Sequence, residues 1–160
     1  KKYGQQIVKN AKALAKALSK NGIKLVGDGT ENHLLIADLT PITSTSGGAF
    51  GHIALEVTQI YANKNTIPNE QGSPFYPSGI RLGTPAITTR GMREKDMVTV
   101  ANLISRVFKE LKPYRLPDDK NARVQFLKNF NEEIVDNKKL LEIRAEVQKL
   151  CKRFPVPGIK

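Results

Sequence analysis

Apolar positions recur at helical spacing over residues 3–20, where Ile7, Ala11, Leu14, Ala15 and Leu18 fall on one stripe. Asn21-Gly22 ends that pattern. Ile23-Lys24-Leu25-Val26 then predicts a short strand, and Gly27-Asp28-Gly29-Thr30 a tight turn. From His33 to Asp38 the chain is too continuously apolar for a strand with one wet face, so burial on both faces is expected. Residues 40–51 are rich in Ser, Thr and Gly and predict a loop. Residues 49–61 predict a helix with Ile53, Val57, Ile60 and Tyr61 along one side. The segment 62–78 reads as a long loop with a short strand near Ala62. Such loops in compact domains are mostly functional or disordered, and three prolines (Pro68, Pro74, Pro77) stiffen this one, which favours function.

The pattern changes to strict alternation at Ser78-Gly79-Ile80-Arg81-Leu82-Gly83. Ile80 and Leu82 share one face of the predicted strand, and Arg81 projects from the other. Gly79 and Gly83 bracket it and admit close approach of a backbone or a ligand. Thr84-Pro85 reads as an N-cap and first helical residue. A longer helix is predicted over 94–111, with Met97, Val100, Ala101, Ile104, Val107, Phe108 and Leu111 in register, stopped by Lys112-Pro113. After the Pro117-Asp118-Asp119 turn come further helices, the last ending near Phe154. These elements give an α/β (α+β) fold class, a small sheet packed against helices, with parallel and antiparallel pairing both open.

Composition narrows the class. At 160 residues and 17.7 kDa the chain suits one domain, expected over 1–160, with its own core. No run approaches the 18 or so apolar residues that span a membrane. Cys151 is the single cysteine, which excludes an internal disulfide and a cysteine-rich metal site. It lies on an apolar helical stripe, where a buried thiol in a reducing, cytoplasmic setting is expected. The net charge of +11 invites a polyanion, but the charge is unevenly placed. Residues 1–30 carry seven lysines against one acid, residues 31–80 one lysine against four acids, and residues 81–160 eighteen basic against ten acidic residues. The excess therefore sits on the helices at both ends, mostly as lysine on polar faces, which is the pattern of a solvated surface. No basic-aromatic interleaving marks a single-strand groove. A free-standing basic module for RNA or another acidic partner remains the alternative reading.

Candidate chemistry concentrates between 63 and 91. A guanidinium fixed on a strand suits a carboxylate or phosphate gripped through two parallel hydrogen bonds. The plain structural reading of Arg81 is an ion pair with Asp38 or Glu56. Lys64 and Arg90 could likewise pair with acids of the same domain. His33, opening a strand, reads as a satisfied structural histidine, and His52 has no acid-base partner nearby in sequence. No Ser-His-Asp order, metal-ligand spacing or phosphate loop appears, so no catalytic residue and no metal ligand is expected.

Read as NKNTIPNEQGSPFYPSGIRLGTPAITTRG, residues 63–91 closely resemble the C-terminal part of serine hydroxymethyltransferases. Gly27-Asp28-Gly29-Thr30-Glu31-Asn32-His33 with the following apolar strand resembles the family's Gly-Gly-Thr-Asp-Asn-His segment, departing at Asp28 and Glu31. Residues 3–18 and 147–155 resemble the flanking helices, while 40–50 and 112–140 match poorly. The resemblance implies the small C-terminal domain of a fold-type-I pyridoxal phosphate enzyme. It implies that Arg81 binds the α-carboxylate of serine or glycine, and that Asn65, Ser73, Pro74 and Phe75 line the tetrahydrofolate pocket. It also implies a homodimer or larger assembly of the intact enzyme, with the isolated domain expected as a monomer. The family's cofactor lysine directly follows a histidine in a threonine-rich segment. Here His33 and His52 precede Leu34 and Ile53. The chain is therefore expected to be a C-terminal domain without the cofactor domain, inactive by itself.

Overall fold

Helix α1 (Lys2–Lys20) forms where the apolar stripe predicts it and buries Ala11, Leu14, Ala15 and Leu18. The structure, a computed structural model, describes residues 1–158, so the last two positions of the expected domain lie outside it. After α1 come β1 (Lys24–Leu25), a 3-10 turn at Val26–Asp28, and β2 (Leu34–Asp38). Helices α2 (Thr40–Thr43) and α3 (Gly48–Val57) lead to β3 (Asn63–Asn65) and β4 (Gly79–Gly83). Four helices complete the chain: α4 (Pro85–Thr89), α5 (Glu94–Glu110), α6 (Lys120–Ile134) and α7 (Lys138–Arg153). The architecture is α+β. The four strands lie in the order β1-β2-β4-β3, and every neighbouring pair is antiparallel, which settles the pairing the sequence left open.

The sheet has one covered face. Leu25, Leu35, Ala37, Ile80 and Leu82 point into a core shared with Leu14 and Leu18 of α1, Phe50 and Leu55 of α3, and Met97, Ile104 and Phe108 of α5. On the opposite face Leu34 and Ile36 are only half-buried, and Arg81 and Asn63 are exposed. The expectation that β2 is buried on both faces is thus corrected. Its odd-numbered side chains reach the core, while the even-numbered Leu34 and Ile36 lie on a face that no helix among the described residues covers. A second cluster joins α3 to α6: the rings of Phe50, Tyr114, Phe126 and Phe130 meet edge-on, tilted or stacked, with centroids 4.8–6.5 Å apart.

Local chemistry explains the other departures. The strand expected at 23–26 stops at Leu25, because Gly27 and Asp28 turn the chain with φ of 66° and 55°. The loop expected at 40–51 contains α2 and the start of α3. Asp38 accepts the Thr40 N–H (2.9 Å) and hydroxyl (2.7 Å), and Pro41 sits in the first helical turn. Helix α3 ends at Val57 rather than Tyr61. There the Thr58 hydroxyl donates to the Leu55 carbonyl (2.7 Å) and Gln59 turns to φ 63°. Thr84 does precede a helix, but its hydroxyl donates to the Ile7 carbonyl (2.8 Å) and makes no cap bond, so it ties α1 to β4 instead.

Candidate functional site

Strand β4 places Arg81 as the alternation predicts: Ile80 and Leu82 are buried, and Arg81 stands exposed on the open face. Its register neighbours are Ile36 on β2 and Asn63 on β3. Neither acid weighed as an ion-pair partner takes it. Asp38 instead accepts Lys24 Nζ at 2.8 Å, and Arg81 forms no salt bridge among the described residues. Burial of Asp38 opposes its charge, but the bonds from Lys24 and Thr40 outweigh that and hold the carboxyl below its usual range. The Arg81 guanidinium is therefore uncommitted among the described residues. With His33, Tyr61 and Asn63 it lines a shallow pocket of about 400 Å³. His33 is exposed there and its ring has no hydrogen-bond partner among the described residues, which corrects its reading as a satisfied structural histidine; its carbonyl accepts the Thr84 N–H at 3.1 Å and the Thr84 hydroxyl at 3.4 Å.

Asn65 ends β3 directly opposite Gly79, so it shares the open face with Arg81, one pleat away along the sheet. A Cβ at Gly79 would lie 2.8 Å from the Asn65 carbonyl, so β3 and β4 close up there only because that position is glycine. The Asn65 amide donates to the Thr66 carbonyl at 2.7 Å. The residues 66–78 then fold back beside β3. Ser73 Oγ accepts the Tyr76 N–H (3.3 Å), and Lys64 Nζ donates to the Phe75 carbonyl (2.8 Å). Pro74 is exposed, and Phe75 is 77% exposed, although an isolated phenyl group in water gains nothing from standing there. Arg81 and Asn65 are thus brought to one face. Ser73, Pro74 and Phe75 stand on the loop that joins their two strands.

One acid that the sequence reading did not single out organises that loop. Glu70 Oε1 accepts the Gly72 N–H (2.8 Å) and the Ser78 hydroxyl (2.6 Å). Its Oε2 accepts the Ser78 N–H (2.8 Å) and the Ile67 N–H (3.3 Å). Burial pushes its pKa up, but these four bonds outweigh it and hold the carboxyl below the usual glutamate range. Ser78 in turn accepts the Ser46 N–H at 2.8 Å, fastening the loop to the turn before α3. Arg123 of α6 lies over the Tyr76 ring at 4.9 Å.

Other candidates take structural roles. Lys64 meets a carbonyl rather than an acid. Arg90 donates through Nε to the Phe154 carbonyl (2.6 Å) and through Nη2 to that of Cys151 (3.0 Å), closing the C-terminus of α7. Cys151 is half-buried rather than buried, at the rim of a cavity of about 240 Å³ lined by Leu14, Leu82 and Ile104 among others. Burial holds His52 below its ordinary pKa, and its Nδ1 lies 3.2 Å from the Gly48 carbonyl. No helix among the described residues is long and apolar enough to cross a membrane.

Comparison with known proteins agrees with this frame. The family described as serine hydroxymethyltransferase matches residues 1–104. A serine hydroxymethyltransferase from Methanospirillum hungatei JF-1 is 46% identical over 156 residues, an alignment that takes in 98% of this chain and 32% of that protein. The chain thus spans about a third of that relative's length. It belongs to the serine hydroxymethyltransferase family.

Proposed function

We propose that this chain is the single C-terminal domain of a longer enzyme. That enzyme moves a hydroxymethyl group reversibly from serine to tetrahydrofolate, giving glycine and 5,10-methylenetetrahydrofolate. The observation that carries the reading is Arg81, an exposed guanidinium with no acidic partner among the described residues, on a sheet face that it shares with Leu34, Ile36, Asn63 and Asn65, in a chain of this family. Its role is to grip the α-carboxylate of serine or glycine in a bidentate manner, which orients the α-carbon toward the chemistry. Asn65, Ser73, Pro74 and Phe75 supply part of the folate pocket, Phe75 by offering its exposed ring to the flat pterin and Asn65 by its amide.

Pyridoxal phosphate, when bound to the whole enzyme, serves as electron sink for the reacting carbon. The residues described here do not make a site for it. No lysine follows a histidine, and Lys64, the lysine nearest the loop, is held by the Phe75 carbonyl. The cofactor therefore belongs to the remainder of the longer protein, and the isolated domain is inactive. The half-buried Leu34 and Ile36 are consistent with that remainder covering the open face. The intact enzyme works as a cytoplasmic homodimer or larger assembly.

In the full-length enzyme, Arg81→Ala is expected to weaken serine binding by about 2–5 kcal/mol, the usual effect of leaving a desolvated charge without its partner. Cofactor absorbance should be retained. Titration of serine into the variant, followed by that absorbance, reads both; unchanged serine affinity would refute the assignment.

A further inference from the structure

We propose that Glu70 is a positioning residue for tetrahydrofolate, its carboxylate holding the 66–78 loop in the shape that presents Ser73, Pro74 and Phe75. The inference rests on the folate reading given above and assigns it a device. The chain from Thr66 to Ser78 contains no helix or strand, so its backbone amides need partners from elsewhere. Glu70 supplies them from inside the loop. Its two oxygens reach Ile67 on one side and Gly72 and Ser78 on the other, bridging both limbs across the segment that carries the exposed Phe75 ring. A charged acceptor makes each of these bonds stronger than a neutral one would.

The loop is also fastened outward, its Ser78 carbonyl accepting the Leu39 N–H at 3.1 Å. Ser78 Oγ accepts the Ser46 amide, Lys64 Nζ reaches the Phe75 carbonyl, and Arg123 covers Tyr76. Those contacts fix where the loop is anchored. The Glu70 bonds fix its internal shape, because they alone cross from Ile67 to Ser78. No other side chain among the described residues bonds to both limbs of the loop.

The test uses Glu70→Gln in the full-length enzyme. Glutamine keeps the size of the side chain but replaces one acceptor oxygen with an NH₂ group, which cannot accept the two donors that face it. Three measurements are made on the folded protein: amide hydrogen exchange, tetrahydrofolate affinity, and serine affinity with cofactor absorbance. Expected is faster exchange at residues 66–78, by a larger factor than in α5. Folate affinity should fall about tenfold or more while serine affinity and absorbance stay unchanged. A merely structural residue would lower all affinities together. Phe75→Ala is measured alongside. If it weakens folate and Glu70→Gln does not, the positioning role is overturned while the folate pocket stands. If neither changes folate affinity, the pocket assignment fails and the proposal with it. Unchanged exchange at Gly72 and Ser78 in Glu70→Gln also overturns it.

Discussion

At the scale of the residue, Arg81 and Phe75 are informative because neither is doing what its surroundings would use it for. Arg81 passes over Asp38, which Lys24 holds, and Phe75 leaves a phenyl ring in water. Because Phe75 is so exposed, Phe75→Ala should change the unfolding free energy by no more than about 0.5 kcal/mol. Folate affinity should nevertheless drop by about 1 kcal/mol or more through the lost ring contact. Calorimetric titration with tetrahydrofolate beside urea unfolding checks both, and a loss of stability without a loss of affinity would make Phe75 a loop anchor. Arg81 was legible in the sequence because alternation across five residues fixes which side of a strand a side chain takes. Glu70 was not. An acid among Pro, Asn and Gly reads as solvated, and its partners are backbone amides of the same loop, which no side-chain pattern reveals.

At the scale of the element, the tightest approach of a glycine to backbone among the described residues is between α3 and β4. A Cβ on Gly48 would collide with the Gly79 carbonyl and lie 2.8 Å from that of Pro77, both rigid backbone atoms. Gly48→Ala should therefore destabilise the domain by about 1–3 kcal/mol, read as a lower urea midpoint at unchanged slope. A midpoint equal to that of the unaltered protein would show that α3 can slide without consequence. Helices α1 and α5 were legible from their apolar stripes, since about five turns each leave no ambiguity of period. Helix α2 was hidden, because Ser, Thr and Gly dominate the run and its start depends on the Asp38 carboxylate two residues upstream. Strand β2 was found but its surroundings were misjudged. An apolar run shows what both faces would tolerate, not which of them a neighbour in this chain covers.

At the scale of the whole molecule, two carboxylates contribute to the response to acid, beside Glu94, which is also held below its usual range by hydrogen bonds from a backbone amide and Gln6. Asp38 and Glu70 both ionise more readily in the folded protein than an ordinary carboxyl group does. Protons therefore bind the unfolded chain more tightly. The stabilisation is fully present above the unfolded value of about 4 and is lost as the pH falls through the folded values. Thermal midpoints recorded from pH 7 down to pH 3 should be flat at first and then fall. Glu70→Gln and Asp38→Asn should each start lower and fall less steeply; a variant whose curve parallels the unaltered protein's would remove that residue from the account. The single covered sheet face is the other property of this scale. It gives the domain a core of its own while leaving Arg81, Leu34 and Ile36 directed at whatever lies beyond.

The most direct measurement compares serine with an analogue lacking the carboxylate, such as ethanolamine, in the full-length enzyme and in Arg81→Ala. The account predicts that the unaltered enzyme strongly prefers serine and that Arg81→Ala loses most of this preference, with ethanolamine affinity nearly unchanged. An equal loss for both ligands, or a preference kept intact, would contradict the claim that this domain holds the substrate carboxylate.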